Sequence, residues 1–187
     1  MRFIVFAALA LALTACGQPP TPQAASGCAR TATHEVVWSR AETPDVITTT
    51  SHGPTCAQAV VSFVARNADG DPLWAFAALY YDLRFGGPPP EGAPGASEAD
   101  MDAFLASWAD VTRTTSDTMP EWRDGVATLS QSAHTFSYDT PFDRETYEML
   151  RTRALPMICY QAAVEGTQCL IVDPATNAPI MFVAYGP

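Results

Sequence analysis

Five cysteines are the side chains of this chain with the most specific chemistry. They stand at Cys16, Cys28, Cys56, Cys159 and Cys169. A cysteine can act as a nucleophile, ligate a metal, carry a lipid or form a disulfide, and an odd number leaves one without an internal partner. The position of Cys16 separates it from the other four, because it closes an apolar N-terminal segment.

That segment has the composition of a secretory signal. Thirteen of the first fifteen residues are apolar, the only charge is Arg2, and residues 3–13 form an unbroken apolar run. A helix of that length reaches about 16 Å and cannot cross a hydrocarbon core of about 30 Å. A short basic start followed by a short apolar run predicts export and removal of the segment.

Residues 13–17, Leu-Thr-Ala-Cys-Gly, resemble the lipobox of bacterial lipoprotein precursors. The resemblance implies cleavage between Ala15 and Cys16, a diacylglycerol on the Cys16 thiol and acylation of the new amino group. Because Gly17 and not Asp follows the cysteine, it also implies an outer-membrane location facing the periplasm. The alternative is ordinary signal cleavage upstream, which would leave Cys16 as a spare thiol.

The sequence after the cysteine predicts a spacer. Residues 17–27 read GQPPTPQAASG, with no charge and no large apolar side chain, so they cannot bury enough surface to order themselves. The predicted organisation is a signal peptide at 1–15, a lipid anchor and tether at 16–27, and one domain at 28–187. The membrane is therefore an expected partner, held through acyl chains worth about 0.8 kcal/mol per buried CH₂ group.

The four remaining cysteines favour disulfides, since an even number in an exported chain is typical of a disulfide framework. Three pairings are possible, and proximity in sequence favours Cys28–Cys56 and Cys159–Cys169. A three-residue loop at 164–166 would place the second pair diagonally on one face of a hairpin. A zinc site is the weaker alternative because no Cys-x₂₋₄-Cys pair exists, and neither a metal nor a cofactor is expected.

The charges exclude several classes of protein. All ten basic residues are arginine, against twenty acidic residues, for a net charge of −10. Without lysine there is no Schiff-base lysine, no P-loop lysine and no Ser-x-x-Lys pair. An acidic chain without a basic cluster is not expected to bind nucleic acid.

Three histidines, His34, His52 and His134, could take part in acid–base chemistry. The chain has no Gly-x-Ser-x-Gly motif, and a catalytic triad would need a histidine beside a nucleophile and a carboxylate. His34 and His134 are weak candidates for such a site, and no catalytic residue is assigned.

Aromatic side chains offer a possible binding surface. Trp74, Phe76 and Tyr80 would share one face of a predicted strand at 73–85 and would bind a sugar or peptide if that face were exposed. The alternative is that these rings fill the core between sheet and helix.

The apolar pattern predicts an α+β domain. Alternating apolar residues indicate a long hairpin, and other short runs indicate further strands. The predicted strands are 34–39, 46–51, 56–66, 73–85, 133–138, 157–164, 167–173 and 179–185. Helical spacing predicts one helix at about 98–112, started by Ser97 and Asp100, and another capped by Thr140 and ending near 154. We expect an antiparallel sheet of about five to seven strands with two or three helices packed on it and two disulfides.

These features favour a membrane-anchored binding or envelope-assembly module over an enzyme. The expected partner is an envelope protein or a peptidoglycan-type ligand. The alternatives are a small envelope hydrolase with a His/carboxylate site, and a structural or inhibitor-like protein that docks through its sheet.

Overall fold

The computed structural model describes residues 27–88, 91–92, 95–132 and 136–187. Within these residues the chain forms two antiparallel sheets, three α-helices and two disulfides, which confirms the α+β class. The strands divide into sheets of four and five, whereas the sequence predicted a single sheet. The predicted signal peptide, Cys16 and all of the tether before Gly27 lie outside the described residues.

The first sheet is a meander in which strands adjacent in sequence also pair in space. Its strands are β1 (Arg30–Val36), β2 (Asp45–His52), β3 (Val60–Arg66) and β4 (Pro72–Leu79). The predicted alternation in β3 is confirmed, since Val61, Phe63 and Ala65 are fully buried and their neighbours are not. One face of this sheet therefore covers the core and the other faces solvent.

The predicted strand at 73–85 is wrong in its second half, because the chain leaves the sheet after β4 and forms helix α1 (Tyr80–Phe85). Burial of Tyr80, Tyr81 and Leu83 does not alternate as it would on a strand with one exposed face. The helix ends at Gly86, whose φ of 77° lies in the left-handed region that glycine adopts without a steric penalty.

Helix α2 (Glu98–Ala109) begins as predicted. The Asp100 amide donates to Ser97 Oγ at 3.1 Å and the Ser97 amide donates to Asp100 Oδ2 at 3.0 Å, which is a capping box. The helix is shorter than the predicted 98–112, because the chain turns at Asp110 and extends into a strand, β5 (Thr112–Thr115).

The second sheet has the order β5-β7-β8-β9-β6. Its other strands are β6 (Ser137–Asp139), β7 (Pro156–Gln161), β8 (Thr167–Asp173) and β9 (Ala178–Gly186). The four consecutive residues 157–160 of β7 are all buried, because both faces of this sheet are covered.

Helix α3 (Arg144–Thr152) packs on one face of the second sheet. The sequence placed its cap at Thr140, which is wrong: Asp143 is the cap, and its Oδ1 accepts from the Thr146 amide at 2.8 Å. Thr140 instead donates from its hydroxyl to the carbonyl of Phe182 at 2.7 Å, so it ties the approaching loop to β9.

The opposite face of the second sheet meets the first sheet through Tyr160. Its ring stacks on Phe63 with a centroid distance of 4.6 Å, and its hydroxyl accepts from Trp74 Nε1 at 2.9 Å. The same hydroxyl lies 2.7 Å from Gln168 Oε1, to which it donates. Burial raises the pKa of Tyr160, so this hydroxyl keeps the proton that it donates.

Both predicted disulfides are confirmed. Cys28 joins Cys56 with a Cα–Cα distance of 4.9 Å, and Cys159 joins Cys169 at 4.0 Å. Cys159 lies directly opposite Cys169 and not diagonally, because the connection between β7 and β8 occupies residues 162–166 and not three residues.

Removing the two disulfides separately should reveal their different loop lengths. Replacing Cys28 and Cys56 by alanine is expected to lower the free energy of unfolding by about 3.6 kcal/mol, and replacing Cys159 and Cys169 by about 2.7 kcal/mol. The reason is that the bridged residues are 28 apart in the first case and 10 apart in the second. Urea unfolding followed by circular dichroism measures both variants against the wild type, and a larger loss for the second pair would contradict the expectation.

Candidate functional site

A cleft of about 740 Å³ lies beside helix α2. Its walls are α1 and α2, and its floor is the end of β7 together with the start of β5. A cavity of this size is large enough for a small molecule, and its lining combines aromatic rings with a somewhat larger share of polar groups. The cleft is the candidate functional site of this protein.

Aromatic rings form a continuous row along the cleft. Tyr81 lies 4.8 Å from Phe85, Tyr80 lies 5.1 Å from Phe104, and Phe104 lies 5.4 Å from Trp108, measured between ring centroids. Four of these rings are buried, whereas Phe85 at the rim is 64% exposed. The row gives the cleft a rigid apolar wall, with one ring open to solvent.

Helix α2 presents one face to the cleft. Asp100, Ala103, Phe104, Ser107 and Trp108 line it, at the i, i+3, i+4, i+7 and i+8 spacing of one helix side. Because the capping box fixes where the helix begins, it also fixes which residues face inward.

Arg84 and Asp100 supply the charges at one end of the cleft. The Arg84 guanidinium lies 6.0 Å from the centre of the Phe104 ring, and within the described part of the chain it has no hydrogen bond or ion pair. The Ser97 hydroxyl, followed by the Ser97 amide, holds the pKa of Asp100 below its usual range, and Arg84 acts in the same direction. Asp100 is therefore ionised but already hydrogen-bonded in the helix cap. The N–H donors of Arg84 have no acceptor among the described residues and are available to a ligand.

Asp110 supplies the charge at the other end. Its Oδ1 lies 3.4 Å from His34 Nε2, and both side chains are exposed. This pair brings one predicted histidine next to a carboxylate, but no hydroxyl group of the described residues is hydrogen-bonded to His34. An exposed pair of this kind contributes little to stability and does not form a triad.

The Tyr80 hydroxyl is an uncommitted polar group of the cleft wall. Tyr80 is 4% exposed, yet its hydroxyl makes no hydrogen bond to any residue that the structure describes. Among the described residues, the buried side-chain polar atom without a partner is Trp38 Nε1, so the Tyr80 hydroxyl is in contact with solvent although its ring is buried. Because Tyr80 lines the cleft, its hydroxyl is open to a ligand bound there without first losing a protein partner.

The predicted binding face at Trp74, Phe76 and Tyr80 is divided between two places. Trp74 and Phe76 are half-buried against Tyr160, Trp74 through its hydrogen bond and Phe76 at a ring distance of 5.5 Å. Tyr80 lies on α1 in the wall of the cleft. The first two rings thus pack between the two sheets, whereas the core interpretation placed them between a sheet and a helix, and only Tyr80 lines the cleft.

Among the predicted disulfide cysteines, Cys159 contributes to the floor of the cleft, whereas Cys28, Cys56 and Cys169 do not line it. His134, Ala15 and Cys16 are outside the described residues. Within the described ranges no group of three or more potential metal ligands is found, and no helix is long and apolar enough to cross a membrane.

Comparison with protein-family models, with curated proteins and with solved structures finds no match.

The sequence reasoning missed Tyr81, Arg84 and Asp110 as site residues. A pattern that indicates a helix is present at residues 80–85, because Tyr81 and Phe85 are spaced as i and i+4. Apolar and polar residues in this segment also alternate in part, as they would in a continuation of the preceding strand. The sequence therefore predicted a strand there and not a helix.

The two tyrosines Tyr80 and Tyr147 provide a matched test of the cleft wall. Tyr147 is fully buried and donates to the Pro120 carbonyl at 2.7 Å, so Tyr147→Phe is expected to cost about 1 kcal/mol of unfolding free energy. Tyr80→Phe should change it by less than about 0.5 kcal/mol, because that hydroxyl has no described partner to lose. Urea titration measures both, and an equal loss would show that the Tyr80 hydroxyl is engaged within the protein.

Proposed function

We propose that this protein is a lipid-anchored cell-envelope protein that binds a small ligand in the cleft between α1 and α2, facing the periplasm from the outer membrane. The observation that carries the binding function is the cleft itself, with its row of rings and an arginine, Arg84, that makes no hydrogen bond or ion pair to a described residue. The lipobox at residues 13–17 supports the anchor. Two disulfides are consistent with an oxidising compartment.

Binding is favoured over catalysis because the charged groups of the cleft are separated. Arg84 and Asp110 lie toward opposite ends, and Asp100 is held by the helix cap. General acid–base or nucleophilic chemistry needs its groups within hydrogen-bond reach of one reacting centre. The His34–Asp110 pair has no such third group among the described residues, so it does not support a hydrolase.

The anchor is tested by replacing Cys16 with serine. The variant is expected to leave the membrane pellet and to lose incorporation of labelled palmitate, because the thiol that takes the diacylglycerol is gone. Thr14→Ser is the control, since it keeps a small residue two before the cysteine and should remain membrane-bound. Retention of the Cys16→Ser chain in the pellet would contradict the proposed anchor.

The cleft is tested by filling it. Ala103 lines the cleft and Ala106 does not, although both are exposed on α2. Full-length protein in detergent, immobilised and exposed to envelope extract, should retain a small molecule detectable by mass spectrometry. Ala103→Trp is expected to reduce that retention by about tenfold or more, because the indole occupies the ligand's space.

Ala106→Trp is the matched control for this experiment, because it adds the same indole to the same helix outside the cleft. Its retention of the compound should equal that of the wild type. Equal retention by the Ala103→Trp variant would show that the cleft is not the binding site.

A further inference from the structure

The cleft is electrically bipolar. Arg84 lies at the end near the N-terminus of α2, and Asp110 lies at its C-terminus. The dipole of this twelve-residue helix has the same direction, positive at the first end and negative at the second, and its last turn contains no basic residue. A ligand with an anionic end and a cationic end would match both.

The distance between the ends limits the length of the ligand. Arg84 is located beside Asp100 and Phe104, which precede Asp110 by ten and six residues. At 1.5 Å per residue this is about 9 to 15 Å along the helix axis. An extended peptide advances about 3.3 Å per residue, so three to five residues span roughly the same distance.

The wall between the charged ends suits a peptide with apolar side chains. Phe85 provides most of the accessible aromatic surface, with smaller contributions from the exposed edges of Tyr81 and Phe104, and the Tyr80 hydroxyl offers one hydrogen-bonding group to a main-chain amide. A single guanidinium fits one carboxylate through paired hydrogen bonds. A dianionic phosphate is disfavoured there, because Asp100 lies close by and the chain carries a net charge of −10.

We infer that the cleft binds a short peptide of about three to five uncharged residues with both termini free, its carboxylate on Arg84 and its ammonium group on Asp110. This inference rests on the proposed binding function of the same cleft and adds the chemical class of the ligand and its direction along α2.

The probe is an equimolar library of tetrapeptides of glycine, alanine, leucine and phenylalanine with free termini. Full-length protein in detergent is immobilised, and the retained peptides are identified by mass spectrometry. The best-retained sequence is then made in three forms: free at both ends, C-terminally amidated and N-terminally acetylated. Quenching of tryptophan fluorescence, or calorimetry, measures the affinity of each form.

Variants at the two ends test the assigned direction. Arg84→Gln is expected to lower the affinity for the free peptide about fivefold, and amidation of the peptide's C-terminus should do the same. Combining the two changes should lower the affinity no further. Asp110→Asn and N-terminal acetylation should behave as a second such pair. Arg113→Gln and Asp82→Asn are the matched controls, since both residues are exposed and neither lines the cleft, and they should leave affinity unchanged.

The outcomes separate this inference from the proposed function. Equal binding of free and capped peptides would overturn the peptide assignment. So would the absence of any peptide binding while Ala103→Trp still abolishes retention of the envelope compound. In both cases the cleft remains a binding site, for a ligand of another chemical class. If Ala103→Trp does not affect retention, both are overturned. The assignment and its direction are supported if the loss of affinity from Arg84→Gln does not add to that from amidation, and the loss from Asp110→Asn does not add to that from acetylation.

Discussion

The contact between Phe63 and Tyr160 is the interaction on which the rest of the structure depends. Each sheet alone would expose an apolar face, and this stacked pair is where the two faces meet. The hydrogen bond from Trp74 Nε1 adds a polar link at the same place, because it holds the phenol oxygen of Tyr160 against the first sheet. Tyr160 also lines the cleft, so the same residue that joins the sheets shapes the candidate site.

Burial explains why the two sheets have different sequences. The first sheet has one face in contact with solvent, and β3 accordingly alternates between buried and half-buried residues. The second sheet is covered by α3 on one face and by the first sheet on the other, and β7 is continuously buried at its centre. A single chain thus supports two core regions with one shared layer between them.

Some local features of the fold could be predicted from the sequence, whereas others, such as the cap of α3 and the helix at Tyr80–Phe85, could not. The disulfide pairs, the cap at Ser97 and the alternation in β3 depend on residues close in the chain or on simple pairing by proximity. The division into two sheets could not be predicted from the sequence, because a short apolar run does not show whether one or both faces of a strand are buried. The cleft could not be predicted for a different reason: it requires Tyr80 and Tyr81 to be helical, and their apolar pattern fits a strand equally well.

The Cys28–Cys56 bond has a mechanical consequence. Cys28 precedes β1, which is the edge strand of its sheet, and Cys56 lies in the connection between β2 and β3. A pull arriving from the preceding chain would otherwise peel β1 away one hydrogen bond at a time. The covalent link carries that force past the edge strand into the interior of the meander, where several strands must separate together. A domain tethered through its N-terminus would therefore resist a pulling force from that side, which is the side on which the sequence predicts a lipid anchor.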